Sequence, residues 1–323
     1  MDTRETKAAM SVSVIVLTYN NYEDTRECLD SLTGLDYGSF EVVVVDNAST
    51  DGSVERLERQ FPDAVFIRNR ANLGYAGGNN VGVMHALERG AEAVWILNND
   101  TVVKRDSLTR LVEAAMDLPD AGILGSVTLY YDAPDEVQFA GGRLVKWQGR
   151  GVHLAKGEME GIHPLEPRET DFVTGASMLV RREMIESVGL LDEAYFLYLE
   201  DLDWALRARG SGWKTYLVPG SVVLHKVNRT TKVNRPLIVY YVCRNSLFLC
   251  RRHFPCFLTP VLLWCMISYV IAYLVKFLLK GSSGDPLEHM RMGWLGIRDF
   301  FARRMGEWGG GRNGRVRTTV RRA

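Results

Sequence analysis

Polar residues gather at a few points of this 323-residue chain, each just past an apolar run. Asp46-Asn47-Ala48-Ser49-Thr50-Asp51-Gly52 follows Phe40 to Val45, and Asn98-Asn99-Asp100 follows Val94 to Leu97. The first segment could grip the ribose or base of a nucleoside, or serve as an Asx-rich turn that caps the next helix. Asp100 could hold a cation bridging two phosphates, because hard cations such as Mg²⁺ take oxygen donors and keep several waters. Mn²⁺ also accepts imidazole, which brings in His225, although a lone histidine at a strand end is more often structural. Asn72-Leu73-Gly74-Tyr75-Ala76-Gly77-Gly78-Asn79-Asn80 opens a helix. Its glycines could let backbone N–H groups approach an anion at the positive helix end, or simply start the helix. Glu200-Asp201-Leu202-Asp203-Trp204 places three carboxylates in four residues at another helix start. Acids there offset the macrodipole, yet three exceed that need, and a carboxylate kept ionised is what a general base requires.

These residues need a frame to bring them together, and the apolar patterning supplies one. Val12 to Leu17, Phe40 to Val45, Ala64 to Ile67 and Val94 to Leu97 are near-continuous strands. Between them lie helical patterns, one with Cys28, Leu29 and Leu32 on a face, a short one over Val54 to Gln60, and one over Gly74 to Arg89. Such alternation predicts an α/β fold with a mainly parallel sheet covered on both sides. Right-handed crossovers then set all four strand C-termini on one edge, where ligands bind in open sheets. Asn20, Asp46, Asn47, Arg68 and Asp100 fall there. Asp106 to Leu118 reads as a helix, residues 122–180 as shorter strands with Gly-rich turns, and Glu200 to Arg209 as a strong helix. Lys214 to Val218 and Ser221 to Leu224 read as two short strands, the second ending at His225. From Pro236 the chain is helical and apolar.

Composition excludes several classes. With 46% hydrophobic and 24% charged residues the chain is globular, not disordered, collagen-like or a disulfide scaffold. The formal net charge of zero hides an asymmetry: residues 256–323 hold 11 Lys and Arg against 4 acids, and residues 1–255 hold 28 against 35. A basic appendage on an acidic body suits an anionic partner. Five cysteines without a CxxC pair read as reduced thiols in a cytosolic protein. Residues 1–10 read as a polar, disordered lead-in. There is no GxxxxGK[ST], HExxH or GxSxG motif. The GxGxxG spacing at Gly309, Gly311 and Gly314 follows no strand and lies in the basic tail.

The order of motifs is more specific than any one of them. Thr18-Tyr19-Asn20, VDNASTDGS, RN-x-x-NLGYAGGNN, LNND, TGAS and FLYLEDLDWALRARGSGW, with His225 later, resembles family 2 glycosyltransferases of the GT-A fold. The likeness covers about residues 11–230 and looks most like the bacterial rhamnosyltransferase branch. It implies transfer of a sugar from a nucleotide diphosphate donor with inversion, dTDP-rhamnose being the donor expected and a UDP-sugar the alternative. It places Thr18, Asn20, Asp46, Asn47 and Arg68 around the nucleoside, and Gly74, Gly77, Gly78, Asn79, Asn98 and Asn99 near the donor. Asp100 and His225 would hold Mn²⁺ or Mg²⁺. Asp201 would be the base with Glu200 beside it, Thr174, Gly175 and Ala176 would border the acceptor, and Trp204 would stack on sugar. One departure is that the family's Asp-x-Asp metal motif has Asn98 at its first position. The QxxRW motif of processive synthases is missing after the base, which implies one addition per encounter. A nucleotidyltransferase, which would need no EDLD carboxylates, and a non-catalytic sugar-nucleotide-binding scaffold are the rivals.

These readings divide the chain into a glycosyltransferase domain over 11–235 (a nucleotide-binding half to 100, an acceptor half to 235), a helical region over 236–308 and a Gly/Arg tail over 309–323. Phe257 to Leu279 is long enough to span a bilayer, at ~1.5 Å per residue. Pro260 and a stripe of Tyr269, Tyr273, Lys276 and Lys280 favour an interfacial helix instead. The next helix is read with Leu287, Met290, Trp294, Ile297, Phe301 and Met305 on one face and Arg291 and Arg298 on another. The expectation is peripheral attachment to an anionic inner leaflet, suiting a lipid-linked saccharide acceptor, with a homodimer interface or a true span as alternatives. No aromatic platform interleaves the arginines, so no nucleic acid is expected.

Overall fold

The computed structural model of the chain describes residues 9–145, 150–154, 157–158, 166–226, 235–255, 259–260, 262–264, 267 and 286–309. The lead-in before residue 9, most of 257–279 and the tail beyond 309 lie outside the described residues.

The first hundred residues alternate as their apolar periods require: β1 (Val12–Thr18), α1 (Tyr22–Leu32), β2 (Phe40–Asp46), α2 (Ser53–Gln60), β3 (Val65–Arg68), α3 (Gly74–Glu88) and β4 (Ala93–Asn98). The four strands are parallel in the order β3-β2-β1-β4. Thr18 pairs with Asp46, Asp46 with Arg68 and Leu17 with Asn98, so their polar ends share one sheet edge. Alternate residues of each strand feed opposite layers. Ile15, Val43, Val45 and Ile96 pack under Ala76, Val83 and Ala86 of α3. Val14, Val16, Val44 and Trp95 pack under Leu29 and Leu32 of α1.

The second half adds β5 (Thr101–Val103), α4 (Ser107–Asp117), β6 (Ala121–Tyr130), β7 (Ala133–Phe139), β8 (Gly142–Val145), β9 (Arg150–His153), β10 (Gly157–Glu158), β11 (Arg168–Thr170) and β12 (Ser177–Arg181). Then come α5 (Arg182–Val188), α6 (Glu200–Gly210) and β13 (Lys214–His225). β12 joins β4 antiparallel and carries β6 on its other side, while β13 runs parallel to β6. The two short strands expected over 214–224 are one, broken by a bulge between Val218 and Val222 that accommodates Pro219-Gly220. β13 also pairs with β5, His225 opposite Thr101, which sets His225 beside the end of β4. A buried hydroxyl chain ties this junction: Trp95 Nε1 donates to Ser177 Oγ at 3.0 Å, and Ser126 Oγ lies 2.7 and 2.8 Å from the Ser177 and Ser221 hydroxyls.

Two C-terminal helices, α7 (Arg235–His253) and α8 (Pro286–Phe301), pack together. They cross closely at Gly296, where a Cβ would lie 2.4 Å from the Tyr240 carbonyl. Met292, Ile297 and Phe300 are buried, whereas Leu287, Trp294 and Phe301 are exposed. The single apolar face expected of α8 is thus divided, because α7 takes one flank and leaves the other outward. Cys28, Cys243 and Cys250 are free and buried. Among the described residues no helix is long and apolar enough to cross a membrane.

Candidate active site

Two cavities hold the candidate site residues. The larger, about 370 Å³, is lined by strand-end residues Thr18, Asn47, Asn98, Asn99 and Asp100, by Gly74 and Tyr75 of α3, and by Phe196, Leu237 and Tyr241. The smaller, about 210 Å³, holds Thr174, Glu200 and Asp201 together with His153. Tyr75 links them. Its hydroxyl donates to the Gly175 carbonyl at 2.6 Å, and the Gly175 N–H donates to Asp201 Oδ2 at 3.1 Å. Burial pushes the Tyr75 phenol well above its ordinary value, and the charges of Glu200, Asp201 and Asp100 push it further. All three carboxylates therefore lie within electrostatic reach of one ring.

At the larger cavity Asp100 Oδ1 is 3.2 Å from His225 Nε2. His225 Nδ1 contacts Gln138 Oε1 at 2.9 Å. With Gln138 as acceptor, a neutral ring carries its proton on Nδ1 and turns the Nε2 lone pair to the carboxylate. One hard oxygen and one imidazole nitrogen converging this way suit Mn²⁺. Among the described residues no third His, Cys, Asp or Glu joins them. Lys226 fixes the strand end: its N–H donates to the Asp100 carbonyl at 3.0 Å, and its buried ammonium pairs with Asp24 at 2.8 Å and Glu27 at 2.5 Å.

The remaining strand-end residues divide between cavity and scaffold. Asn99 Nδ2 donates to Thr25 Oγ1 at 2.9 Å, and Thr18 and Thr25 share a 2.8 Å hydroxyl contact. Asn47 is a brace: it donates to Asn72 Oδ1 and the Gly74 carbonyl and accepts from Asn69 Nδ2 and the Leu73 N–H, all at 3.0–3.1 Å. Asp46 accepts from the Ser49 N–H at 2.9 Å, and Asn20, at φ +49°, accepts from the Thr50 N–H at 2.7 Å. Arg68 turns to Glu55 and Glu58, at 2.6 and 2.8 Å, and does not line the larger cavity.

The start of α3 differs from the expected anion cradle. The N–H groups of Leu73 and Gly74 donate to the Asn47 and Asn72 side chains, and those of Tyr75 and Ala76 to the Phe196 carbonyl, the Tyr75 bond at 2.7 Å. The protein itself caps this helix end, so these amides are not free for a phosphate. Gly74, at φ +72°, permits the close approach of Phe196, and Gly78 admits Leu17 of β1. Gly77 lies against Leu73 and Glu193. Asn79 is fully buried, donates to the Tyr75 carbonyl at 2.9 Å and has no partner for Oδ1 among the described residues. Asn80 completes the seam by clamping Leu191, accepting from its N–H at 3.1 Å and donating to its carbonyl at 2.9 Å.

At the smaller cavity Glu200 is buried, and among the described residues its Oε2 has no hydrogen-bond partner. Burial pushes this carboxyl well above its usual range, and the neighbouring Asp201 charge adds to that. Asp201 is also raised by burial, but the amides of Gly175 and Leu202 support its charged form. Of the pair, Glu200 keeps the proton and Asp201 carries the charge, a division that suits an acid beside a base. Thr174 lines this cavity, while Ala176 is buried and its carbonyl accepts from the Asn98 N–H. Trp204 corrects an expectation. It is fully buried and its Nε1 donates to the Gly189 carbonyl at 2.8 Å, so no ring face is open to a sugar. The third acid, Asp203, is structural, paired with Arg207 at 2.8 Å and His253 at 2.7 Å.

Sequence reasoning missed Tyr75, Gln138, His153, Lys226 and Tyr241 as site residues. A tyrosine inside the glycine run and a lysine next to His225 were the available signals.

A parallel strand set with Asp100 at its edge, continued by antiparallel strands that bring Asp201 to a second cavity, is an α/β arrangement of the GT-A-like type. The family model described as Glycosyl transferase family 2 matches residues 13–189, and the chain belongs to that family. It is similar to an N-acetylglucosaminyl-diphospho-decaprenol L-rhamnosyltransferase of Mycobacterium tuberculosis, 28% identical over 74% of this chain and 84% of that protein. It is also similar to a dTDP-rhamnosyl transferase, RfbF, of Shigella flexneri, 24% identical over 94% of this chain and 98% of that one. In fold it resembles a mannosyltransferase from Pyrobaculum calidifontis solved with GDP-Man and Mn²⁺, with a TM-score of 0.56, 19% identity, and 90% and 86% of the two chains covered.

Proposed function

We propose that the protein is an inverting, metal-dependent hexosyltransferase that moves L-rhamnose from dTDP-rhamnose onto a lipid-linked saccharide of the cell envelope. The observation that carries this reading is the placement of Asp100 and Asp201 around Tyr75, one in each cavity. Inversion needs a base on the face opposite the departing diphosphate, and carboxylates in two separate cavities, linked by the Tyr75–Gly175–Asp201 hydrogen bonds, supply one group for each face. The names of the two rhamnosyltransferase relatives support the donor and the lipid-linked acceptor.

In the proposed reaction an acceptor hydroxyl oxygen forms a bond to the anomeric carbon as the bond from that carbon to the diphosphate oxygen breaks. The hydroxyl proton passes to the Asp201 carboxylate, and the nucleoside diphosphate leaves with the bonding pair. Asp201 is oriented by the Gly175 and Leu202 amides, a positioned base of the kind that contributes ~10²–10⁴-fold. Asp100 and His225 would hold the cation, which when bound offsets charge on the leaving phosphate. Peripheral attachment to an anionic inner leaflet is supported by exposed Leu287, Trp294 and Phe301 on α8 and by the surplus of basic residues after position 255.

The test is binding and slow hydrolysis of dTDP-, UDP- and GDP-sugars with Mn²⁺, Mg²⁺ or EDTA, on the wild type and on Asp201→Asn. The expected result is metal-dependent use of dTDP-rhamnose, with Asp201→Asn keeping donor affinity and losing turnover by ~10²–10⁴-fold. Selective use of a UDP-sugar would remove rhamnose from the reading. Failure to bind any nucleotide sugar with metal present would refute catalysis altogether and favour a scaffold.

A further inference from the structure

The backbone that delivers Glu200 and Asp201 is unusual. Phe196, Tyr198 and Leu199 all adopt left-handed conformations, with φ of +62°, +69° and +71°. Residues with a Cβ hold such angles only where their surroundings over-determine them. No glycine relieves this segment, so the restraint must come from outside it.

It comes from α7. Asn245 Nδ2 donates to three carbonyls of the segment, Tyr195 at 3.0 Å, Leu197 at 2.9 Å and Tyr198 at 2.8 Å. Asn245 Oδ1 accepts from Arg244 Nε at 2.9 Å, which fixes the amide's orientation. Arg244 Nη2 donates to the Ala194 and Tyr195 carbonyls at 3.2 and 2.8 Å, and Nη1 to the Gly306 carbonyl at 2.6 Å. Both side chains are fully buried. The rings of Tyr240 and Tyr241 lie 5.5 and 5.0 Å from the guanidinium carbon, and Tyr241 stacks on Phe196 with centroids 5.5 Å apart. A buried cation whose hydrogen bonds end on neutral oxygens is a costly way to gain stability. It is an effective way to hold a strained backbone in one place.

We propose that Arg244 and Asn245 are positioning residues for the carboxylate pair: they pin residues 194–198 in the turn that places Asp201 against Gly175 and keeps Glu200 buried. The inference rests on Asp201 being the base, as proposed above. The paired α7–α8 helices are then part of the reaction machinery as well as an attachment region.

The experiment compares the wild-type chain with Asn245→Ala, Arg244→Lys and a control, Arg251→Gln. The control removes an exposed guanidinium that lies 5.2 Å from the Phe300 ring in the same helix pair, and leaves Arg244 and Asn245 untouched. Two readouts are taken: the pH dependence of turnover with the best donor of the panel, and amide hydrogen exchange over residues 195–201. Misplacing a base by about an ångström costs on the order of 10²-fold in turnover. Asn245→Ala and Arg244→Lys are expected to show that loss and faster exchange. The acidic limb of their turnover should also move to lower pH, because a loosened segment lets water reach the pair. Arg251→Gln should show none of these. A folded Asn245→Ala with unchanged exchange overturns the proposal, and so does a turnover loss with an unmoved pH profile. If Asn245→Ala does not fold, Arg244→Lys carries the same readouts and decides. A wild type that uses no donor refutes the functional reading, and exchange alone then decides whether the clamp exists.

Discussion

Gly74→Ala puts the contact between the two halves of the site under direct strain. At φ +72° an alanine pays about 1–2 kcal/mol for the left-handed backbone. Its Cβ would also stand 2.4 Å from the Phe196 carbonyl oxygen and 2.6 Å from Phe196 Cδ2. That oxygen is backbone and already caps α3, so it has no rotamer to retreat into. Forcing an atom into such a contact costs about 1–3 kcal/mol more. Gly90→Ala is the matched control, at φ +86° with nothing within 4 Å of the new Cβ. The two variants share the dihedral cost and the gain of about 0.4–1 kcal/mol from a stiffer unfolded chain. Their difference isolates the contact. At roughly 2–4 °C per kcal/mol for a domain of 150–250 residues, Gly74→Ala should melt about 2–12 °C below Gly90→Ala in scanning calorimetry. Donor binding should weaken with it, because Gly74 and Phe196 both line the larger cavity. Equal melting temperatures for the two variants would show that Phe196 yields freely and that the junction is not rigid.

Two further outcomes follow from the geometry. Burial pushes the Asp203 carboxyl up, but the His253 hydrogen bond and the Arg207 charge outweigh it and hold the group below its ordinary value. That stability is fully present above the unfolded pKa, about 3.9, and is lost as pH falls through the lower folded value. Asp203→Asn should lose about 3–5 kcal/mol at neutral pH and show a flatter melting temperature between about pH 4 and 2 than the wild type; parallel profiles would refute this. Gln138→Ala should weaken Mn²⁺ affinity, followed by the electron paramagnetic resonance of free Mn²⁺, by about 10–100-fold through the loss of its bond to His225. Unchanged affinity would show that Gln138 does not orient the imidazole.

The parallel half of the fold was readable because its strands are apolar on both faces and end in Asn or Asp, so period and punctuation agree. That Asp100 would follow β4 and Asp201 would open α6 was legible for the same reason. What escaped the sequence is contact between distant residues. Nothing in GYAGGNN says that Phe196, some 120 positions later, will supply the carbonyl that caps it. Trp204 looked like a sugar platform since an aromatic beside carboxylates fits that role, but the helix turns it into the core under Gly189. The face of α8 was misjudged because a periodic pattern does not reveal which flank a neighbouring helix will cover. Arg244-Asn245 did leave a signal, two polar groups inside the apolar run from Leu237 to Cys250, and a buried clamp is the natural explanation for such a pair.

The pairing of β13 with β5 has a consequence for how the protein comes into being. His225 meets Asp100 only when a strand that begins at Lys214 runs beside β6 and reaches back to Thr101. Strands β1 to β4 are made early in synthesis and can pair among themselves, yet the Asp100–His225 pair does not exist until more than two thirds of the chain has emerged. Contacts of such long sequence separation form slowly, since the intervening chain must be closed first. Completion of this pair is therefore a late event in folding, and a nascent or clipped chain that lacks β13 has the polar sheet edge with Asp100 but without its imidazole partner.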